Sequence, residues 1–412
     1  MTHGDLTASP AADTLLVTLT GHDRPGVTAA LFEALGRHDV VVVDVEQVVL
    51  RGRLVLGVLL SPAAPRLADT VRAVGADLGM QVEVETGAAE EDSRRRGRVI
   101  VTVLGAPLRP AALQGIAERV AALGGNIDRI VRLASYPVTC LELEVSGADV
   151  PALRAHLSTA SASLGIDVAV QEAGLRRRGS HLVVMDVDST LIQDEVIELL
   201  AAEAGCLDEV ARVTEAAMGG DLDFAQSLTA RVALLAGLDA AALDAVRGRV
   251  RLTPGARTFV RTLKRLGYRV GIVSGGFTAI TDGLVEDLGL DFARANVLEV
   301  VDGRLTGRVV GPVVDRRAKA QALADFAATA GVDLEQTVAI GDGANDLDML
   351  AAAGLGIAFN AKPVVRDAAD TALSVPYLDA VLYLLGISRD EIEAADAAAG
   401  TPTPAPPVPL ES

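Results

Sequence analysis

"VVMDVDSTLI", Val183 to Ile192, is an apolar run that ends in two aspartates one residue apart, Asp186 and Asp188. With His181 and Leu182 ahead of it, the run reads as a short strand buried on both faces, the kind found in parallel sheets. Two later runs have the same form, "YRVGIVSG" and "QTVAIGDG", with helical patterns between them. A doubly wound, Rossmann-like α/β domain is therefore expected from about residue 180 to 388. Ligands of open α/β sheets sit at the carboxyl ends of the strands. The three runs place their polar residues there: Asp186-Val187-Asp188-Ser189-Thr190, Ser274-Gly275-Gly276, and Gly341-Asp342-Gly343-Ala344-Asn345-Asp346. Lys319, in "DRRAKAQAL", precedes the last of them.

An Asp-x-Asp pair alone is common in surface loops. A calcium loop is excluded, because Leu191 stands where its sharp-turn Gly belongs and Ile197 where its bidentate Glu belongs. Taken together and in this order, the four signals resemble the haloacid-dehalogenase-type (HAD) phosphatase superfamily. The resemblance implies Asp186 as the nucleophile that forms an aspartyl-phosphate, and Asp188 as the general acid and base. It implies Mg2+ as cofactor, held by Asp186, Asp342 and the backbone carbonyl of Asp188, with Asp346 in or near the second shell. Ser274, the Gly275 amide, Lys319 and Asn345 would hold the phosphate.

Between the first two strands lies an Ala- and Leu-rich segment with only helical signals, read as a cap insertion over about 193–251. Glu195, Met218, Phe224 and Arg231 fall in it at spacings similar to the cap of the phosphoserine phosphatase family. On that resemblance Glu195 pairs the ammonium of O-phospho-L-serine, Arg231 grips its carboxylate with a planar fork, and Met218 and Phe224 form a dry wall. The products would be L-serine and phosphate. Two alternatives remain at this point: a phosphatase or phosphotransferase for another small phosphate ester, and an amino-acid-binding regulator with an idle catalytic domain.

Ahead of this domain the order βαββαβ occurs twice, over 14–88 and 97–174, an internal repeat. The first copy carries the turn Gly21-His22-Asp23-Arg24-Pro25-Gly26, and with it resembles an ACT domain, a ferredoxin-like module that binds amino acids. Gly21, Asp23 and Gly26 are its candidate effector residues, with serine feedback and a homodimer through the ACT domains as the implied regulation. The second copy has "GAPLRP", Gly105 to Pro110, without the Asp or the final Gly. "EEDSRRRGR" and "GLRRRGSH" read as solvated linkers. Residues 389–412, Pro-rich at the end, read as a disordered tail.

The net charge of −18 disfavours nucleic acid and anionic membranes as partners. The uncharged run Met349 to Ala361 falls well short of the ~20 apolar residues of a membrane span, and the N-terminus lacks signal-peptide character. Two cysteines, Cys140 and Cys206, are too few for a disulfide framework. A soluble cytoplasmic enzyme is the expectation.

Overall fold

A computed structural model describes residues 13–88, 98–174, 177, 179, 181–218, 223–401 and 403–404, the side chains of residues 65, 88, 162 and 218 excepted. The chain divides into two compact units, Met1–Ser93 and Arg94–Ser412.

The first unit runs β1 (Asp13–His22), α1 (Val27–Leu35), β2 (Val41–Leu50), β3 (Arg53–Ser61), α2 (Pro65–Leu78) and β4 (Gln81–Ala88). Its antiparallel sheet has the order β2-β3-β1-β4. Alternating apolar residues, Leu15, Val17 and Leu19 on β1 and Leu54, Leu56, Val58 and Leu60 on β3, form the face covered by the helices.

The second unit opens with the repeat: β5 (Val99–Gly105), α3 (Pro110–Ala122), β6 (Asn126–Ala134), β7 (Thr139–Ser146), α4 (Val150–Leu164) and β8 (Asp167–Glu172). Its sheet order, β6-β7-β5-β8, is that of the first copy. One difference is physical. β1 alternates between buried and exposed residues, whereas all seven residues of β5 are buried. The second face of this sheet lies against the phosphatase-like domain. Leu104, Leu133, Cys140 and Ala169 share one apolar core with Tyr383, Leu384 and Leu385. Gln171 Nε2 donates to the Leu384 carbonyl at 3.0 Å, the Ser374 amide to Asp167 at 2.7 Å, and Arg154 pairs with Asp370 at 2.8 Å.

The linker expectation is corrected at Arg177. Its side chain is buried and pairs with Glu142 of β7 at 2.6 Å, so this part of "GLRRRGSH" is pinned to the second sheet and is not a solvated tether. Residues 175, 176, 178 and 180, and most of "EEDSRRRGR", lie outside the described residues.

The large sheet has seven strands in the order β12-β11-β10-β9-β13-β14-β15. They are β9 (Leu182–Met185), β10 (Arg269–Phe277), β11 (Phe292–Val301), β12 (Arg304–Val310), β13 (Thr337–Gly341), β14 (Leu355–Phe359) and β15 (Thr371–Leu373). β9 sits in the middle, parallel to β10 and β13. The cap comprises α5 (Val196–Ala204), α6 (Leu207–Met218), α7 (Phe224–Ala233) and α8 (Ala241–Arg247). α9 (Ala256–Arg265), α10 (Thr278–Leu288), α11 (Arg316–Ala330) and α12 (Leu347–Ala352) belong to the core domain.

The cap's two connections form a short clasp. Ile192 bridges Leu252, the Gln193 amide donates to the Arg251 carbonyl at 2.9 Å, and Asp194 pairs with Arg251 at 2.6 Å. The hairpin β11–β12 had no counterpart in the sequence reading, although its signal is present. Asp302-Gly303, both at positive φ (50° and 75°), is a two-residue turn between β-rich runs. β12 leans on the cap, where the Gly237 amide donates to the Leu305 carbonyl and the Leu305 amide to the Leu238 carbonyl, both at 2.8 Å.

The disordered-tail expectation is corrected over its first ten residues. α13 (Arg389–Ala398) is a helix, opened by a capping box of Ser388 and Glu391. Asp396, fully buried, pairs with Arg261 at 2.6 Å and with Arg265, and accepts from the Thr403 hydroxyl. Residues 402 and 405–412 lie outside the described residues. The two arginines, though burial opposes them, hold the Asp396 carboxyl down at about 2. A depressed carboxylate contributes stability above its unfolded pKa and loses it as pH falls through the folded one. Asp396→Ala is therefore expected to cost about 2–4 kcal/mol at pH 7, and this loss should shrink between pH 4 and 2. Denaturant melts at both pH values measure it; an equal loss at both would refute the ion pair as the cause.

Candidate active site

Asp186 follows the last residue of β9, and its amide donates to the Ile340 carbonyl of β13 at 2.9 Å. This bond aims the residue along the central strands to their carboxyl edge. The chain then bends through Val187–Leu191, with Ser189 in the left-handed region at φ 56°. The bend brings Asp188 back over the strand end. Asp188 Oδ1 accepts from the Val196 amide at 2.8 Å and Oδ2 from the Ser274 hydroxyl at 3.1 Å.

Lys319, fully buried near the start of α11, reaches Asp186 Oδ1 and Asp346 Oδ1, both at 2.7 Å. Asp342 Oδ1 accepts from the Thr190 hydroxyl at 3.1 Å, and Asp346 Oδ2 from the Gly343 amide at 3.0 Å. A Cβ on Gly341 would lie 2.4 Å from the Asp346 carboxyl carbon, so this strand end requires glycine.

The cap closes the other side. Phe224, Leu228 and Arg231 stand at i, i+4 and i+7 on one face of α7 and, with Glu195, line a cavity of about 140 Å³ over Asp186 and Asp188. Gly275, Gly276, Asp342 and Asn345 complete much of its wall. Phe224 lies so close above Gly275 that a Cβ there would sit 2.9 Å from the ring.

Ten of the expected residues thus converge: Asp186, Asp188, Glu195, Phe224, Arg231, Gly275, Asn345 and Asp342 on the wall, Lys319 and Asp346 behind it. Ser274 also stands behind the wall, its oxygen donating to Asp188 and accepting from the Gly276 amide at 2.8 Å. The Met218 side chain lies outside the described residues. Sequence reasoning passed over Ser189, Thr190, Gly276 and Asn296. Asn296 is buried, donates to the Gly275 carbonyl and accepts from the Val314 amide, each at 2.8 Å, which fixes the Gly275 peptide. Thr190 and Ser189 sit in the quoted motif itself; Asn296, midway along β11, gives no local signal.

The charges are unbalanced. Burial, and then the charge of Asp346, push the Asp186 carboxyl well above the usual range, with Lys319 opposing. Burial and Asp346 raise Asp342 to about 6; burial and Asp188 raise Glu195 to about 7. Burial raises Asp188 too, against the Val196 and Ser274 hydrogen bonds. Burial lowers Arg231, against the charges of Glu195 and Asp188. Burial opposes the charge on Lys319, but Asp186 and Asp346 outweigh it and raise the pKa. Carboxyl oxygens of Asp186, Asp342 and Asp346 lie within 4.8 Å of one another. A clustered set of hard oxygens with surplus negative charge fits a divalent cation.

The haloacid dehalogenase-like hydrolase family matches residues 183–351, and ACT domain families match residues 13–85 and 98–171. The chain is 63% identical to the phosphoserine phosphatase of Streptomyces coelicolor over 398 residues, 95% of this chain and 97% of that one. It is 55% identical to phosphoserine phosphatase SerB2 of Mycobacterium tuberculosis over 395 residues, 94% and 97% of the two chains. A crystal structure of a probable phosphoserine phosphatase from Vibrio cholerae matches with a TM-score of 0.58 at 36% identity, over 76% of this chain and 91% of that one.

Proposed function

The chain belongs to the phosphoserine phosphatase family of haloacid dehalogenase-like hydrolases, and on that premise we propose how its residues carry out the hydrolysis. The enzyme is a phosphoric monoester hydrolase that converts phosphoserine to serine and phosphate. Asp186 attacks phosphorus, and the bond to the serine oxygen breaks as Asp188 gives that oxygen its proton. The resulting aspartyl-phosphate is hydrolysed by a water whose proton returns to Asp188. Gly275 offers its backbone amide to the phosphoryl oxygens, and Asn345 orients them. Lys319 keeps Asp186 in place and offsets part of the charge around it.

Asp186, Asp342 and the Asp188 carbonyl would hold Mg2+, with Asp346 beyond them; the ion supplies charge neutralisation on the phosphoryl oxygens. The reading rests above all on one observation: the aspartate pair and the cap residues Glu195 and Arg231 face the same small cavity. Phosphate release from phosphoserine, against a panel of sugar and nucleotide phosphates, tests the substrate. Trapping the phosphoenzyme with hydroxylamine tests the intermediate.

Arg231 donates from Nε to the Ser227 carbonyl at 3.3 Å, which leaves its terminal nitrogens for the substrate carboxylate. Arg231→Lys keeps the charge and loses the fork. We expect kcat/KM for phosphoserine to fall roughly 10- to 100-fold, the range of a lost charge-assisted hydrogen bond, and to fall more than for an aryl phosphate. Equal losses on both would make Arg231 structural.

Serine feedback would act through the first ACT domain. Gly26, at φ 96°, opens α1, and the Asp23 amide donates to the Gly52 carbonyl at 2.8 Å, leaving the exposed Asp23 carboxylate for an amino acid. Calorimetry of serine with the full chain and with Asp23→Ala tests this. A homodimer through the ACT domains is supported by β2, an edge strand exposed along all ten residues, with Val41, Val43, Val45, Val48 and Leu50 among them. Sedimentation velocity decides it. Among the described residues no helix is long and apolar enough to cross a membrane.

A further inference from the structure

The catalytic loop and the cap's first helix are joined by two successive hydrogen bonds. Asp188 accepts from the Val196 amide, and Ser189 donates its hydroxyl to Glu195 Oε1, each at 2.8 Å. Residues 188 and 189 thus hold residues 196 and 195 like two rungs. Glu195 is the N-cap of α5, yet its side chain makes no capping bond to its own helix. Its carboxylate is turned instead toward the cavity it lines.

Ser189 is an unusual residue for its place. Its φ of 56° and ψ of 3° lie in the left-handed region, which glycine or asparagine adopts at lower cost. A backbone argument alone would favour either of those. The serine hydroxyl supplies what glycine lacks, a donor to the carboxylate.

We propose that Ser189 is a positioning residue for substrate selection: it occupies one oxygen of Glu195 and so presents the other to the substrate's ammonium group. A carboxylate held at one oxygen by a short donor has a fixed plane, and the free oxygen meets the ligand without first losing side-chain freedom. The inference rests on the reading of Glu195 as the ammonium partner. It adds that selectivity for an amino acid over its deaminated analogue is set in the catalytic loop as well as in the cap.

The test compares kcat/KM for phosphoserine with that for 3-phosphooxypropanoate, which keeps the phosphate and carboxylate and lacks the amine. The full-length enzyme is used throughout. Ser189→Gly suits the backbone and removes the donor, so it is expected to fold normally and to lower the ratio about tenfold, mainly through KM for phosphoserine. Ser189→Asn suits the same backbone and restores a donor, and should recover part of the ratio. Glu195→Gln should collapse it. If Glu195→Gln collapses the ratio and Ser189→Gly keeps the parental value, the role of Ser189 is refuted while that of Glu195 stands. If Glu195→Gln leaves the ratio unchanged, the reading of Glu195 fails and this inference with it.

Discussion

Asp186→Asn is expected to lower turnover of phosphoserine by at least about four orders of magnitude, as loss of a nucleophile does in other hydrolases, while the protein becomes no less stable. The two halves of this expectation have one cause. Ionised Asp186 is buried beside Asp346, with Asp188 and Asp342 near, and Lys319 is the cation that answers it. A carboxyl whose pKa is raised in the folded state contributes stability at low pH and loses it as pH rises. Asparagine keeps the shape and removes that charge. The metal-stripped parent should lose stability as pH rises through the raised range of Asp186, and through about 6 for Asp342 and about 7 for Glu195. Asp186→Asn should lose less, and millimolar Mg2+ should raise the melting temperature of the parent more than that of the variant. Initial rates and thermal melts at pH 5.5 and 8, with and without the ion, measure all of this. A variant rate within a hundredfold of the parent would mean that another group attacks phosphorus.

How much of this site was legible in the sequence depended on where each residue's partners lie along the chain. Asp186, Asp188, Ser274, Lys319 and Asp342 sit at strand ends and a helix start, and the fold's topology brings such positions together whatever the remaining sequence. The roles of Ser274 and Lys319 were less legible. Both are expected at the phosphate, and both are buried, Ser274 bonded to Asp188 and Lys319 to Asp186 and Asp346. The bond between Asp188 and Ser274 joins residues 86 positions apart, and no local pattern encodes it. The partners of Asn296 lie nearer, 21 and 18 positions away, and still outside its own strand. The hairpin at Asp302-Gly303 and the capping box at Ser388 differ, because both had local signals. The helix at Arg389–Ala398 was overlooked because an Ala- and Glu-rich stretch beside a Pro-rich end shares its composition with a disordered tail. The capping box at Ser388 and the burial of Ile392 and Asp396, the latter against Arg261 and Arg265, separate the two.

A chain starting at His181 is expected to fail to fold stably, whereas one starting at Arg94 should fold and hydrolyse phosphoserine. The repeat in the sequence suggested two ACT-like modules joined by solvated linkers, the second without the Asp and the final Gly of the first copy's turn. Their surroundings make them unequal. In the second copy's sheet β5 is buried along its whole length and β8 along five of its six residues, and the apolar core runs on into the phosphatase domain through Leu104, Leu133, Cys140, Ala169, Leu384 and Leu385. Removing it would bare several large apolar side chains at roughly 1.5–3 kcal/mol each. It would also strip the buried Leu384 carbonyl and the Ser374 amide of their partners Gln171 and Asp167, at about 1–3 kcal/mol for each group left buried and unpaired. Together these losses approach the total stability of a domain, about 5–15 kcal/mol. The first copy belongs to a separate compact unit and has an apolar core of its own. Soluble yield, a cooperative thermal transition and phosphoserine turnover for the two shortened chains decide the matter. A fragment from His181 that melts cooperatively near the parent's temperature would show the interface to be incidental. Aggregation of that fragment beside an active chain from Arg94 would make the second ACT domain part of the catalytic body, and leave the first as the module free to act as a sensor.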